Sequence, residues 1–243
     1  MLVQTTRIGT RKRGIVTFAS LVSLVSLASY PAAAQVHADV SAQVGVMKRF
    51  LTSRPASEPS EKNAPFGPAA EVGAHIALLP LVRAGAYIGY DISPSAGSSA
   101  GGARDFTWAG ARVKIMSPWP SSPFRAWLFA GFGYAGVYAR SHATTVSVAT
   151  GIGNETAPQP ARVQGASGGF FEVPFGLGAS YNLRKPWALC AELGTRVGFA
   201  YSGSAYKAPG PELVVSGASS AHAAPAGRDA FALGLTIGLL VDL

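Results

Sequence analysis

Ser141 and His142 are the adjacent residues whose types come nearest to a catalytic arrangement. A serine hydroxyl activated by an imidazole base performs acyl transfer, which is chemistry that a lipid-modifying enzyme would use. Such a site also needs a third group that orients the base. No motif around the pair fixes that group, so the sequence predicts no catalytic residue. A lipid-modifying enzyme is kept as an alternative.

The segment Gly131–Gly136 (GFGYAG) matches the glycine spacing of a dinucleotide-binding loop. That loop must lie between a strand and a helix, whereas these glycines alternate with aromatic residues inside a strand-like segment, where they allow close packing. The histidines lack the close spacing with other ligands that a zinc site requires; they are His37, His75, His142 and His222. The sequence therefore predicts no metal and no other cofactor.

Charged residues in the alternating parts of the sequence share a face with glycine, alanine and serine. The acidic residues on this face are Asp39, Glu71, Asp91, Glu172 and Glu192, and the basic residues are Arg83, Arg112, Lys114, Arg125 and Arg196. Equal numbers of both signs predict ion pairs, because an unpaired charge in a confined interior is unfavourable. We expect Glu192 to pair with Arg112 or Lys114. We also expect Glu172 to pair with Arg196.

The elements that carry these charges are strands with one large apolar face. In the last of them, small or polar residues separate Phe231, Leu233, Leu235, Ile237, Leu239, Val241 and Leu243. Alternation with a period of two is typical of a strand, and Asp229–Leu243 is longer than the about 9 to 11 residues that a tilted strand needs to cross a bilayer. The apolar face is therefore predicted to contact lipid, at Phe175, Val197, Leu235, Ile237 and Leu239.

Eight segments alternate in this way, and short and long connections follow each other between them. The segments are Val36–Val46, Ala70–Leu78, Val82–Ile92, Phe106–Met116, Arg125–Tyr138, Phe171–Leu183, Trp187–Tyr201 and Asp229–Leu243; the long connections are residues 51–68, 94–104, 140–168 and 203–228. Strands in a bilayer must close into a barrel, because an open edge leaves backbone groups unpaired. The predicted fold is all-β: an eight-stranded antiparallel up-and-down transmembrane β-barrel with both termini in the periplasm.

The interior of an eight-stranded barrel is just wide enough for side chains to fill it. The charged face is therefore predicted to plug the lumen. The predicted lumen charge network comprises Asp39, Glu71, Asp91, Arg112, Lys114, Glu172, Glu192 and Arg196.

The N-terminal segment has the features of a secretory signal peptide. A basic region at Arg7–Arg13 precedes the apolar stretch Ile15–Ala28, and small residues follow at Pro31–Ala34. We predict a signal peptide over residues 1–34 and a barrel domain over residues 35–243. Removing residues 1–34 takes away four of the 20 basic residues and none of the 12 acidic residues, which leaves a net charge of +4. That modest charge gives no reason to expect nucleic acid as a partner.

Two segments strengthen a family resemblance: FAGFGYAG at Phe129–Gly136 and WAGARVKI at Trp108–Ile115. Together with the order of strands and connections, they make residues 36–243 resemble the small bacterial outer-membrane barrels of the OmpA-like or OmpX-like type. The resemblance implies a location in the Gram-negative outer membrane and contact with outer-membrane lipid. It also implies that the barrel-assembly and periplasmic chaperone machinery handle the chain during biogenesis.

The leading hypothesis is a non-enzymatic outer-membrane barrel with a side-chain-filled lumen. It would contribute to envelope integrity or present its long extracellular loops for adhesion or binding. The alternatives are an outer-membrane lipid-modifying enzyme and a secreted calycin-like ligand-binding barrel. A calycin-like barrel has large apolar residues inside, whereas here the charges share a face with glycine and alanine.

Cleavage of the signal peptide is expected to leave Gln35 at the N-terminus, because Ala32 and Ala34 occupy the small-residue positions of the processing site. Intact-mass spectrometry of protein extracted from membranes measures this directly. A species that still begins at Met1 or Leu2 would contradict the assignment.

Overall fold

The computed structural model describes residues 37–52, 65–94, 102–118, 123–149, 156–215, 221–223 and 228–243. The predicted signal peptide and Gln35 lie outside these ranges. All the regular elements in the described ranges are strands. Within them, no helix is long and apolar enough to cross a membrane.

Eight of the twelve strands form a closed antiparallel barrel. They are β1 (Ala38–Thr52), β2 (Gly67–Leu79), β3 (Val82–Ser93), β4 (Arg104–Met116), β5 (Phe124–Ala139), β8 (Ala166–Arg184), β9 (Trp187–Gly203) and β12 (Arg228–Asp242). Their order around the barrel is β1-β12-β9-β8-β5-β4-β3-β2, and β1 pairs with both β12 and β2. Each corresponds to one of the eight predicted segments, so the predicted all-β, eight-stranded closed fold is confirmed.

The two faces of the barrel wall have opposite character. Large apolar side chains point outward and stay exposed, as at Leu235 (50%) and Ile237 (60%). These two residues pair across the β1–β12 seam with Val46 and Val44, which are also exposed. Glycine, alanine and polar residues face the interior. The predicted lipid-contacting positions all lie on the exposed outer face: Phe175, Val197, Leu235, Ile237 and Leu239.

The connections differ at the two ends of the barrel. The end with the short connections, which we call the turn end, holds the β2–β3, β4–β5 and β8–β9 turns together with Ala38 and Leu243. The opposite end, the loop end, holds the longer connections. Exposed aromatic residues occur near both ends: Phe124, Tyr181 and Trp187 at the turn end, and Tyr90, Tyr138, Phe171 and Phe231 at the loop end.

Two of the long connections contain strands that the sequence did not predict. They are β6 (His142–Ala149), β7 (Thr156–Val163), β10 (Glu212–Val215) and β11 (Ala221–His222). These strands form a four-stranded antiparallel sheet in the order β11-β10-β7-β6, which we call the loop-end sheet. Val163 pairs with both His142 and Leu213, so the sheet joins the β5–β8 connection to the β9–β12 connection.

The position of Tyr201 corrects one prediction. The alternation of β9 predicts that Tyr201 faces outward with Val197 and Phe199, but its ring centroid lies 5.1 Å from those of both Phe170 and Tyr206, in the interior cluster. The cause is Ala200, whose φ of 54° is left-handed. This irregularity reverses the facing of the residue that follows it.

Placing a charge on the middle of the outer face tests the assignment of the two faces. Leu235→Arg is expected to lower the free energy of unfolding in lipid vesicles by about 2 to 4 kcal/mol, because an arginine at the bilayer midplane loses its hydration. Leu183→Arg is the matched control near the turn end, where the cost falls to about 0 to 1 kcal/mol. Equal costs for the two variants would contradict the assigned membrane span.

Candidate functional site

The interior of the barrel contains a chain of alternating carboxylates and cations. Glu192 lies near one end of this chain, and its carboxylate accepts from Arg112 Nη1 at 3.1 Å and from Trp127 Nε1 at 3.1 Å. Lys114 Nζ lies 3.1 Å from the same carboxylate. All four side chains are buried. The structure thus brings Glu192 together with both basic residues named in the sequence analysis.

Glu71 links this group to the next. One of its oxygens lies 2.7 Å from Arg112 Nη1, and the other accepts from Arg196 Nη2 at 2.6 Å. Arg196 also donates to Glu172. The sequence Glu192, Arg112, Glu71, Arg196, Glu172 is therefore one continuous ion-pair chain that crosses the lumen. Such an arrangement stabilises buried charges only because each has its partner in place.

At the turn end, Asp39 holds a second cluster together. It contacts His75 Nδ1 at 3.0 Å and accepts from Arg83 Nη1 at 2.5 Å. Arg112 Nε donates to His75 Nε2 at 3.0 Å. Because Nε2 must accept this bond, the imidazole is neutral and carries its proton on Nδ1, from which it donates to Asp39. Through Arg112, this cluster is continuous with the central chain.

A third cluster lies near the loop end. Arg49 donates from Nη2 to Asp91 at 2.6 Å and stacks over Phe106, with its guanidinium carbon 3.7 Å from the ring centroid. Asp229 accepts from Arg104 at 2.9 Å and from the Tyr206 hydroxyl at 2.7 Å. Asp91 belongs to the predicted network.

Sequence reasoning missed Arg49, Arg104 and Asp229. The predicted first strand ends at Val46 and the predicted fourth begins at Phe106, whereas the observed strands extend further toward the loop end. Residues separated by an even number of positions lie on the same face of a regular strand. Arg49 therefore shares a face with Asp39, and Arg104 shares a face with Arg112, which is the signal that the sequence offered.

Tyr206 packs on the interior cluster at the loop end. It follows β9, and both it and its neighbour Ala205 are buried against the interior cluster. Its ring centroid lies 6.0 Å from that of Phe170, at an edge-on angle. Burial, together with the adjacent Asp229 carboxylate, raises the pKa of the Tyr206 hydroxyl well above its usual value. The hydroxyl therefore remains a proton donor to Asp229 at physiological pH.

The side chains leave little empty space between the clusters. A cavity bordered by Glu71, Trp108, Arg112 and Arg196 measures about 30 Å³, which is room for a water molecule or two. The Arg196 guanidinium carbon lies 4.4 Å from the centre of the Trp108 ring, so an aromatic face covers part of the charge. The described interior thus holds many buried charged and aromatic side chains.

The adjacent Ser141 and His142 are not arranged for catalysis. The Ser141 hydroxyl accepts from Arg162 Nη2 at 3.1 Å, and His142 Nδ1 lies 3.5 Å from the backbone oxygen of Arg140. The glycine-rich segment Gly131–Gly136 lies inside β5. In the described part of the chain, no group of three or more histidine, cysteine or carboxylate side chains is placed to hold a metal ion.

An ion pair marks the outer surface at the loop end. Asp105 receives two hydrogen bonds from Arg140, at 2.6 and 2.7 Å, and one from the Tyr90 hydroxyl at 2.7 Å. The Arg140 side chain is half exposed. A carboxylate on the outer face requires water or polar head groups, so Asp105 places the limit of the apolar band near this level.

Removing the charge of Glu192 tests the central cluster. Glu192→Gln leaves Arg112 and Lys114 short of a counter-ion, and we expect a loss of about 3 to 5 kcal/mol in the free energy of unfolding, measured with urea in detergent micelles. Adding Lys114→Gln should restore part of the loss. Asp105→Asn, which removes an exposed pair, is the control, with an expected cost of about 0 to 1 kcal/mol. A cost for Glu192→Gln no larger than that of the control would contradict the central role of Glu192.

No protein-family model matches the chain, and no curated protein sequence matches it. Among solved structures, it is similar to Neisserial surface protein A (12% identity, 86% of this chain and 97% of the other, TM-score 0.47). It is similar to a major outer membrane protein from Thermus thermophilus (15% identity, 85% of this chain and 99% of the other, TM-score 0.47). It is also similar to the outer membrane protease OmpT from Escherichia coli (14% identity, 86% of this chain and 96% of the other, TM-score 0.32). These likenesses concern fold, and a shared fold does not decide between an enzyme and a non-enzyme. The chain has the closed barrel fold of the outer-membrane proteins that its sequence resembles.

Proposed function

We propose that this protein is a non-conducting, non-enzymatic outer-membrane barrel that presents the loop-end sheet as a binding surface outside the cell. The packed, ion-paired interior is the observation that carries the proposal. Three groups of side chains fill the lumen: the turn-end cluster, the central chain through Glu192, and the loop-end cluster with Tyr206. A barrel filled in this way acts through its surfaces.

The outer face supports insertion in a membrane. Its exposed leucine, isoleucine, valine and phenylalanine side chains form the kind of apolar band that water disfavours and lipid accepts. The charges that a soluble barrel would display outside lie inside, as at Glu172 and Lys114. This distribution argues against the calycin-like alternative, which needs an apolar interior for its ligand.

The asymmetry of the connections supports one orientation. Bacterial outer-membrane barrels have short periplasmic turns and longer extracellular loops. With the turn end in the periplasm, Ala38 and Leu243 lie on the periplasmic side and the loop-end sheet lies outside the cell.

The loop-end sheet supports a binding role because it gives two long connections a defined shape. Its more exposed face carries Thr145, Arg162 and Val214, with Arg162 paired in register between Ala143 and Val214. Backbone pairing fixes the spacing of these side chains, and binding residues are commonly placed on loops that a rigid scaffold positions. No observation favours the lipid-modifying alternative, because Ser141 and His142 contact other groups.

Removing the β6–β7 hairpin separates a role in binding from a role in envelope integrity. Deleting residues 142–163 leaves four residues, two from each side of the deletion, between Ala139 and Ala166, which pair across the barrel wall; a connection of this length closes a hairpin. In planar bilayers, we expect neither the native protein nor the deletion variant to show a large steady conductance. Cells that express the variant should keep their resistance to detergent and lose attachment to immobilised proteins and glycans.

A large steady conductance of the native protein would overturn the closed lumen. If the deletion removes detergent resistance and leaves attachment unchanged, the sheet serves envelope integrity and the binding role is wrong. Heat-modifiable mobility on gels shows that each variant is folded before it is compared.

A further inference from the structure

A cavity of about 340 Å³ opens at the turn end, separate from the small space inside the lumen. Its lining includes Arg83, Arg125, Asn182, Lys185, Trp187 and Asp242. The volume falls in the range of small-molecule sites, about 300 to 1,000 Å³. Lys185 and Trp187 are exposed, so the cavity is accessible from the solution at this end.

The side chains of the lining carry an excess of positive charge. Arg83, Arg125 and Lys185 are three cationic side chains, and Asp242 is the one acidic side chain among the described lining residues. Both arginines share Asp242: Arg125 donates to it from Nη2 at 2.5 Å and from Nη1 at 3.3 Å, and Arg83 Nη1 donates at 3.3 Å. Lys185 has no ion-pair partner in the described part of the chain. Carboxylates therefore pair with both arginines, and Lys185 is the cation of the described lining that is left without one.

The two arginines are held in place before any ligand arrives. Arg125 also donates to Asn182 Oδ1 at 3.0 Å, and Arg83 is fixed from behind by Asp39. The Arg125 side chain is largely buried, and its Nε has no hydrogen-bond partner among the described residues. Guanidinium groups fixed in this way provide donors to oxyanions without a large loss of side-chain entropy on binding.

From this geometry we propose that the turn-end cavity binds a phosphate monoester. Such a group carries about −1.5 to −2 charges near neutral pH, and Lys185 offers it a cation while Arg125 Nε offers it a buried donor. The cavity is larger than a phosphate group alone, so it has room for the organic part of the ester beside Trp187. The ester is either the head group of a lipid such as phosphatidic acid or a soluble molecule. Binding here does not depend on the role of the loop-end sheet.

The test is isothermal titration calorimetry of the full chain in phosphatidylcholine nanodiscs, with glycerol 3-phosphate as the probe. We expect saturable binding with a stoichiometry of one. Lys185→Gln removes an exposed cation from a turn, and it should weaken binding about tenfold without unfolding the barrel. Lys207→Gln removes an exposed cation from the loop end and is the matched control, with unchanged affinity.

A second variant tests the role of Arg125. Arg125→Lys keeps the charge and removes the Nε donor that has no partner among the described residues, so it should weaken binding while the urea-unfolding midpoint shows that the barrel is folded. The source of the ester is found by adding phosphatidic acid to the nanodiscs. If phosphatidic acid lowers the apparent affinity for glycerol 3-phosphate, and Lys185→Gln reduces this competition, the site binds a lipid head group. If phosphatidic acid leaves the affinity for glycerol 3-phosphate unchanged, the site binds a soluble ester. Absence of saturable binding to glycerol 3-phosphate, or equal weakening by Lys185→Gln and Lys207→Gln, would overturn the proposal.

Discussion

Closure of the backbone hydrogen-bond ladder is the constraint on which the rest of the structure depends. The seam between the first and last strands is complete to its end, where Ala38 and Leu243 exchange two backbone hydrogen bonds of 3.2 and 2.8 Å. With this seam made, the barrel has no exposed edge, and its outer wall can be apolar without leaving backbone groups unpaired in lipid. Eight strands also set the diameter, and the diameter decides what the interior can hold.

A narrow interior explains why the inward face combines charges, large aromatic rings and glycine. Trp108 lies across Gly89 on the neighbouring strand, and Trp127 lies across Gly178. A Cβ atom at either glycine would lie 2.4 Å from the indole ring, which is too close for the ring to stay in place. The glycines thus make space for tryptophans whose N–H groups donate to Glu71 and Glu192. Small residues on the inner face of one strand thus make room for large side chains of its neighbour.

The barrel was predictable because its wall separates two environments at every second residue, as at Leu235 and Thr236. The same rule placed the predicted charges on the inner face, but it did not show how far each strand continues beyond the bilayer, so Arg49 and Arg104 were missed. Ala200 was not predictable either, since an alanine gives no sign of a left-handed backbone. The loop-end sheet was obscured by its composition: β7 contains Pro158 and Pro160, and β11 has two residues. The pairing that joins the two connections, between β7 and β10, links segments far apart in the chain, and no local pattern of residues indicates it.

The way in which the loop-end sheet joins the barrel has a mechanical consequence. The β6–β7 hairpin continues from β5 and into β8, two long strands that pair side by side from Ala139 and Ala166 down to Phe124 and Tyr181. A pull on the sheet along the barrel axis draws β5 and β8 in the same direction, and the hydrogen bonds that join them to the flanking strands β4 and β9 run across that direction. Such a force loads many of these bonds at the same time, in shear, instead of opening them one after another from an end. A tether on this sheet would therefore be strong along the barrel axis.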